Sequence, residues 1–385
     1  MAAGFMVPHL SAVSDKVPAM FSGPRDSIDF STVRRALVVK LRHHGDVLLA
    51  SPVFTALKSH APHVSIDALV YSDTADMLTG HPAIEQVHGI GRQWKELSTA
   101  NRLSHEWKLF STLRSRQYDL LIHLSEHPRG AWLSRALRVR HAVAPNISSK
   151  PAFWKKSFTH RFAQPLNARR HMVEWNLDAL RRLGIQPDTE DRKLTLVAGS
   201  KADAAIEQRL QALGLDGQTF IHLHPASRWE FKCWPTERMA RLINALQARG
   251  LRVVMTAAPS EDERLQVTRI LASTEQAPVS LCGELSLKEM AALSARAALF
   301  VGVDSAPMHI AAAMGTPVVA LFGPSGEAQW GPWLVPHRVV SSADHPCRPC
   351  GIDGCGGGKV SDCLVTLPES RVLAAIDELL AARSS

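Results

Sequence analysis

The sequence predicts an α/β protein built from parallel, doubly wound sheets. Short apolar runs typical of buried strands alternate with stretches of helical periodicity along most of the 385 residues. The run Leu299–Phe322 contains one whole unit: a strand, a turn at Gly302–Ser305, a short helix and a second strand. A unit of this length is a parallel crossover. The alternation starts again at Thr219, which indicates two similar halves with a cleft between them.

The first domain is predicted over residues 34–186. It opens with a strand, a Gly-Asp turn and a helix that follows Pro52. Two further strands are predicted at Val64–Val70 and Asp119–Leu124, because each is a short apolar run between turn signals. A helix then leads into Gly184–Pro187, where the helix-breaking residues mark a natural boundary.

The second domain is predicted over residues 187–385 and repeats the alternation. Strands are expected at Phe220–His224 and Arg252–Ala257, with a helix at Thr236–Ala248 between them. The last helix, Glu369–Ala382, is amphipathic.

The composition is that of a globular protein without a membrane span. Hydrophobic residues make up 45% of the chain and charged residues 21%. No run of about 18 or more apolar residues occurs. Residues 1–33 lack the charged start and continuous apolar core of a signal peptide, so we expect a flexible extension and a cytoplasmic protein.

Positive charge is concentrated in the first domain. The chain has 44 Lys and Arg against 36 Asp and Glu, and the block from Arg129 to Arg170 contains no acidic residue. Such a block is usually a solvated face, but interleaved aromatic residues also suit contact with an anionic, amphipathic surface. These aromatic residues are Trp132, Phe153, Trp154, Phe158 and Phe162. Nucleic acid is a competing partner, but no helix-turn-helix, zinc-finger or RNP-type pattern accompanies the charge.

Two segments carry residues suited to sugar and phosphate chemistry. In Val38–Leu49, Asp46 follows the first strand, at the sheet edge where ligands of parallel sheets bind. In His222–Pro235, Lys232 follows another strand and offers a cation to a leaving phosphate. The chain has no G-x-G-x-x-G turn after a strand and no P-loop, which argues against a dehydrogenase or a P-loop NTPase.

A third segment, Leu299–Ser325, predicts an anion site. Asp304 and Ser305 begin a short helix, and the N–H groups at a helix N-terminus favour an anion. An ordinary capped helix would look the same on this segment alone. Taken in order, the three segments resemble the signatures of glycosyltransferase family 9, the bacterial lipopolysaccharide heptosyltransferases, and most closely its heptosyltransferase III type.

The resemblance implies the GT-B fold, in which two Rossmann-like domains enclose a cleft. It also implies that the last helix crosses back and packs on the first domain. It also implies inverting transfer of heptose from ADP-heptose to the phosphorylated inner core of lipopolysaccharide. The protein would then work at the inner face of the cytoplasmic membrane as a peripheral protein, without a cofactor, a catalytic metal or nucleic acid. The alternatives are a non-catalytic nucleotide-sugar-binding module and a glycosyltransferase with another sugar donor.

The resemblance also implies roles for individual residues. Asp46 would be the general base, with helix capping as its ordinary alternative role, and Lys232 would stabilise the departing diphosphate unless it is a simple surface lysine. The expected donor-binding residues are Ser227, Arg228, Glu261, Asp304, Ser305, Ala306, Met308 and His309. The expected acceptor-binding residues are Arg42, His44 and Arg129. Because Ala306 stands where the family usually has glycine, the loop is expected to be slightly reshaped.

Two features have alternative interpretations. Glu261 would bind the nucleoside ribose, but acidic residues in a first helical turn also compensate the helix dipole, and Asp262 or Glu263 could take its place. Four cysteines of the glycine-rich loop 345–363 could form a structural zinc site or remain free thiols. These cysteines are Cys347, Cys350, Cys355 and Cys363.

Overall fold

The structure, a computed structural model, describes Pro24, residues 26–164 and residues 169–384. Within these residues the chain forms two six-stranded sheets. The strands of the first are β1 Arg35–Val39, β2 Ser65–Tyr71, β3 Gln86–Ile90, β4 Leu120–His123, β5 His141–Pro145 and β6 His160–Phe162. Those of the second are β7 Phe220–His224, β8 Arg252–Met255, β9 Val279–Ser280, β10 Leu299–Val303, β11 Val318–Phe322 and β12 His337–Ser341.

Both sheets are parallel and doubly wound. Their strand orders are β3-β2-β1-β4-β5-β6 and β12-β11-β10-β7-β8-β9, so each sheet reverses its winding direction once, between β1 and β4 and between β7 and β10. The central strands β10 and β11 are buried along their whole length, as expected for near-continuous apolar runs covered on both faces. The predicted α/β fold of two parallel sheets is confirmed.

Helices cover both faces of each sheet. The first domain contains α1 His44–Leu48, α2 Ser51–His60, α3 Thr99–Ser115, α4 Arg129–Ala136, α5 Ala152–Lys155 and α6 Met172–Leu183. The second contains α7 Ser200–Ala212, α8 Thr236–Ala248, α9 Glu261–Ala272, α10 Leu287–Arg296, α11 Ala306–Ala313, α12 Glu327–Trp330, α13 Asp362–Val365 and α14 Glu369–Ser384. None of the described helices combines the length and apolarity that a membrane span requires.

Residues 26–33, which precede the first strand, are folded onto the first domain, which corrects the expectation of a flexible extension for these residues. Phe30 and Val33 are buried in the core of the first domain, and the Ile28 N–H donates to the Leu183 carbonyl oxygen over 3.1 Å. The Arg182 guanidinium also binds the Asp26 carboxylate. Residues 26–33 therefore belong to the first domain, whereas residues 1–23 and 25 of the predicted extension lie outside the described residues.

The connection between the sheets stays with the first domain beyond the predicted boundary. Leu196 is buried in the core of the first domain, and the Thr195 N–H donates to Ser51 Oγ over 3.0 Å. The α2 helix also packs against the 3-10 helix Glu190–Arg192. The chain therefore leaves the first domain about where Gly199, with φ +90°, begins the approach to α7.

The last helix packs on the second domain, so the expectation that it crosses back onto the first is wrong. Val372, Ile376 and Leu379 of α14 are buried with the second sheet, and the helix contacts β10, β11, β12 and α8. Its amphipathic pattern correctly predicted one buried face. Such a pattern does not specify which of two similar sheets that face covers.

Candidate functional site

Asp46 lies at the point where the first sheet reverses its winding. The chain leaves β1 at Lys40 and enters α1, whose first turn contains Asp46. Its carboxylate is 14% exposed, and Arg42 Nε lies 3.9 Å from its Oδ1. The N-cap position of α1 belongs to His43, so Asp46 is not the capping residue. The carboxylate therefore faces the region beyond the carboxyl ends of the strands, where ligands of doubly wound sheets bind.

Lys232 and Asp304 meet at the equivalent point of the second sheet. Asp304 follows β10, and Lys232 ends the 3-10 helix Glu230–Lys232 after β7. Lys232 Nζ donates to Asp304 Oδ2 over 2.6 Å, with 22% of the lysine side chain and 7% of the aspartate side chain exposed. This ion pair gives the lysine cation a fixed position at the sheet edge.

The N-terminus of α11 adjoins this ion pair. Ser305 is its N-cap residue, but the Ser305 hydroxyl donates to the Val303 carbonyl oxygen over 3.3 Å and makes no capping bond. Pro307 has no N–H, and the Met308 N–H donates to the Ser305 carbonyl oxygen over 3.2 Å, so the preference of this end for an anion rests on the Ala306 N–H and the helix dipole. The start of α11 is thus suited to a diphosphate, as the sequence predicted for this segment.

The two sheet edges face each other through α1 and α11. Gly45 packs against His309, and a Cβ on Gly45 would lie 3.0 Å from His309 Cδ2 and 3.8 Å from Ala306 Cα. His309 is buried, and burial lowers its pKa to about 4, so its ring is neutral at pH 7. The close approach brings Asp46 of one domain and the Lys232–Asp304 pair of the other to one interdomain cleft.

Ser227 and Arg228 follow β7 at the same edge. Ser227 is buried, and its Oγ accepts a hydrogen bond from the Trp229 N–H over 3.3 Å. Arg228 is exposed, with its guanidinium 5.4 Å from the Trp229 ring. The serine therefore shapes the loop, whereas the arginine offers an accessible cation.

Two glutamates near the start of α9 have different surroundings. Glu263 is buried and accepts the Ala258 N–H at 2.7 Å, and burial raises the pKa of its carboxyl. Glu261 is exposed in the first turn of the helix, just after β8. Of these two carboxylates, Glu261 is the accessible one, and Glu263 holds the preceding loop.

Comparison with known proteins decides the family. The model of glycosyltransferase family 9 (heptosyltransferase) matches residues 106–360. The chain belongs to this family. It is 38% identical over 295 residues to lipopolysaccharide heptosyltransferase 3 of Escherichia coli (strain K12), an alignment that covers 76% of this chain and 83% of that protein. The protein is therefore a glycosyltransferase, as the resemblance implied.

Two solved structures confirm the GT-B fold. The family 9 glycosyltransferase of Veillonella parvula DSM 2008 has a TM-score of 0.78 at 22% identity, over 92% of this chain and 99% of that one. The E. coli heptosyltransferase WaaC with ADP has a TM-score of 0.69 at 21% identity, over 90% and 99% of the two chains.

The structure corrects one of the expected donor-binding residues, Met308. Met308 is fully buried in a cluster with Phe300 and Phe322, so its side chain belongs to the core below α11 and does not reach the cleft. Ala306 is the first residue of α11 and is not among the residues with positive φ. The Ala306 backbone therefore carries no left-handed strain, and the expected reshaping of the loop stays a prediction.

Two of the three expected acceptor-binding residues are engaged within the protein. His44 Nε2 hydrogen-bonds the Asp73 carbonyl oxygen at 2.8 Å. The Arg129 guanidinium forms a bidentate pair with Glu106, with N···O distances of 2.5 and 2.6 Å. Arg42 is the accessible member of the set, because 57% of its side chain is exposed.

The cysteine loop contains free thiols. Cys363 is buried, whereas Cys347, Cys350 and Cys355 are exposed. Within the described residues, no group of three or more His, Cys, Asp or Glu side chains is arranged to hold a metal ion. Zinc binding by the four thiols therefore stays a sequence prediction for which the structure provides no formed site.

The sequence motifs do not reveal a buried lysine at the same sheet edge. Lys40 is 2% exposed, and its Nζ donates to the Leu124 carbonyl oxygen and to Asn176 Oδ1, both over 3.0 Å. The only signal in the sequence is its position directly after the apolar strand β1. Burial lowers the pKa of this lysine to about 8.

Proposed function

We propose that this glycosyltransferase transfers heptose from ADP-heptose to the inner core of lipopolysaccharide, with Asp46 as general base. The observation that carries the proposal is the pairing of a carboxylate with a cation and a helix N-terminus across one cleft. Asp46 stands on the first domain, and Lys232 and α11 stand on the second. The named relative is a lipopolysaccharide heptosyltransferase, and the WaaC structure contains ADP.

The proposed reaction is a single displacement. The Asp46 carboxylate takes the proton of the acceptor hydroxyl while the hydroxyl oxygen attacks the anomeric carbon of the donor. The bond from that carbon to the diphosphate oxygen breaks, and ADP leaves with the bonding electron pair. Because attack comes from the face opposite the leaving group, the anomeric configuration inverts.

The second domain stabilises the charge on the departing diphosphate. Lys232 and the N-terminal end of α11 are positioned before the reaction, so they need little reorganisation as charge develops. Asp304 would repel a phosphate, and we assign it the role of holding Lys232. Arg228 and Glu261, both accessible at the same edge, would contact the phosphates and the ribose.

We further propose that the first domain rests on the anionic inner face of the cytoplasmic membrane. The supporting surface, here called the aromatic patch, consists of Leu103, Trp107, Trp132 and Phe153, which are 63%, 70%, 63% and 37% exposed. The Trp132 and Phe153 rings lie 4.6 Å apart, and the Arg135 guanidinium lies 4.9 Å from the Phe153 ring. Exposed tryptophans beside cations suit a membrane interface.

The aromatic patch differs from the set expected from the sequence. Trp154, Phe158 and Phe162 are 2%, 6% and 2% exposed and pack in the core. Trp132 and Phe153 are the accessible aromatic residues of the basic block, and α3 adds Leu103 and Trp107. In this proposal the neighbouring basic residues hold the phosphorylated acceptor near the bilayer, without nucleic acid as a partner.

The deciding experiment is a transfer assay. The protein is incubated with ADP-heptose and a heptose-deficient lipopolysaccharide, and the acceptor is examined for a mass gain of one heptose. We expect Asp46→Asn to lose roughly two to four powers of ten in kcat while it keeps donor affinity. Asp203→Asn, which changes an exposed carboxylate paired with Arg296, is the matched control and should keep full activity.

The alternatives predict other outcomes. A nucleotide-sugar-binding module would bind ADP-heptose without any mass gain. A transferase with another donor would add a different mass when other nucleotide sugars are supplied. A kcat of Asp46→Asn within about threefold of wild type would exclude the general-base role.

A further inference from the structure

A second set of polar groups surrounds the cleft beside Asp46. Within the interdomain cleft, a pocket of about 150 Å³ beside Asp46 is lined by Lys40, Ser125 and Trp175 of the first domain and by Trp330 of the second. The proposed donor-site residues Lys232, Arg228 and Glu261 are not among its lining residues. This pocket therefore contacts the proposed base but not those three donor-site residues.

Three of the lining groups are hydrogen-bond donors with unused capacity. Lys40 Nζ carries three N–H groups and uses two of them, toward Leu124 and Asn176. Within the described residues, Ser125 Oγ and Trp175 Nε1 are buried and have no hydrogen-bond partner. Leaving a buried polar group unpaired is costly, so two such groups beside the spare N–H of Lys40 indicate a missing ligand.

The charge of the wall formed by Lys40, Ser125 and Trp175 indicates which kind of ligand would bind there. The lysine ammonium is held 5.6 Å from the Trp175 ring, in a place where burial penalises its charged form. Arg42 adds a second cation at the mouth of the cleft. Glu126 also lines the cleft, but its Oε1 is occupied by the Gln164 amide at 3.1 Å. A wall of donors with a cation is complementary to a group rich in anionic oxygen.

We propose that Lys40, Ser125 and Trp175 bind an oxyanion substituent, a phosphate or a carboxylate, of the acceptor sugar. This inference rests on the proposed function, because it assumes that the acceptor hydroxyl is presented to Asp46. Binding the oxyanion in this wall would orient the sugar so that one hydroxyl faces the Asp46 carboxylate. The three residues are thus specificity-determining residues for the acceptor.

Ser125→Ala is the variant that most directly separates acceptor binding from folding. Its hydroxyl has no partner within the described residues, so its removal should leave the melting temperature unchanged or slightly higher. In the proposal, the Ser125 hydroxyl forms its hydrogen bond to a charged group only in the complex with the acceptor. The variant lacks this bond, so we expect the acceptor KM to rise roughly ten- to hundredfold. The donor KM and the kcat at saturating acceptor should not change.

Matched controls separate recognition from folding. Ser134→Ala removes a buried hydroxyl that donates to the Ser157 carbonyl oxygen over 2.6 Å, so it should lower the melting temperature without changing the acceptor KM. Lys40→Met should raise the acceptor KM as Ser125→Ala does, and Lys58→Met, which removes a lysine bound to the Val64 carbonyl oxygen, is its control. If Lys40→Met does not fold, Ser125→Ala still decides.

Titration calorimetry with a deacylated, phosphorylated core oligosaccharide tests the inference without turnover. Weaker binding by Ser125→Ala supports it even if no heptose is transferred, in which case only the proposed function fails. Equal binding by wild type and Ser125→Ala would overturn it even if transfer proceeds. The defect of the variant should disappear with a dephosphorylated acceptor if the group is phosphate, or with a carboxyl-reduced acceptor if it is carboxylate. A defect that persists with both would refute an oxyanion site.

Discussion

Replacing Lys232 by methionine should weaken ADP binding by more than the loss of one cation explains. The reason is Asp304, whose side chain is 7% exposed and whose Oδ2 lies 2.6 Å from Lys232 Nζ. Without the lysine, an unpaired carboxylate remains beside the start of α11, where we propose that the diphosphate binds. The carboxylate then repels the ligand that the lysine formerly attracted.

The size of the effect follows from the separation of the charges. With an effective dielectric constant of about 20, charges 2.6 Å apart interact by about 6 kcal/mol before desolvation is subtracted. Removing one partner of a buried pair typically destabilises the fold by about 3–5 kcal/mol, and at a binding site it typically costs about 2–5 kcal/mol of affinity. We therefore expect Lys232→Met to bind ADP roughly 100- to 1000-fold more weakly, because each 1.4 kcal/mol is a factor of about ten. Its melting temperature should fall by several degrees.

The double variant Lys232→Met/Asp304→Asn tests this reasoning. It removes both charges, so only the lost attraction remains and ADP affinity should recover at least about tenfold relative to the single variant. The deficit of Lys232→Met should also shrink at high salt, since screening weakens charge contacts. Calorimetric titration with ADP measures both effects. A double variant that binds ADP no better than Lys232→Met would refute the role assigned to Asp304.

Three further predictions concern the domain contact, the membrane and pH. Gly45→Ala should reduce kcat several-fold at unchanged ADP affinity, because its Cβ would displace the facing histidine ring by a few tenths of an ångström; full activity would argue against a tight α1–α11 contact in the working enzyme. The triple charge reversal of Arg135, Lys155 and Lys156 to Glu should reduce co-sedimentation with anionic liposomes, at about 1 kcal/mol per cation, and raise the KM for the lipid acceptor; equal sedimentation of both proteins would leave this block a solvated face. Burial lowers the pKa of five histidines to about 3 or 4 in the folded protein. As pH falls below about 6.5, these histidines therefore bind protons in the unfolded chain before they do so in the folded protein. This favours unfolding, so the melting temperature should drop between pH 6.5 and 4. A flat profile over that interval in thermal denaturation would contradict the burial of these rings. The five histidines are His81, His123, His222, His224 and His309.

The sequence predicted the architecture well because its strands are short apolar runs between clear breakers. Phe220–His224 is a strand with the predicted bounds, Val318–Phe322 is the second strand of the predicted crossover unit, and Thr236–Ala248 is the predicted helix. The motifs also identified both sheet edges, since Asp46 and Lys232 lie where the winding of each sheet reverses. The local sequence pattern was sufficient to predict those strands, helices and turns that are determined by their own segment of the chain.

The sequence did not predict features that depend on contacts between residues distant in the chain. Trp154 and Phe158 look like surface residues among cations, yet both are buried around the His123 ring. Lys40 could be recognised as buried only through its bond to Asn176, 136 positions away. The engagement of Arg129 by Glu106 is likewise a tertiary contact that no motif encodes.

The division of the chemistry between two sheets links the two substrates thermodynamically. The proposed base belongs to the first domain and the proposed diphosphate site to the second, and they face each other only in one relative orientation of the sheets. A ligand that binds groups on both sides stabilises that orientation, so a second ligand finds it already populated. The coupling is reciprocal: whatever factor bound ADP adds to the affinity for the acceptor, the acceptor must add to the affinity for ADP. Measuring either factor by calorimetry therefore determines the other.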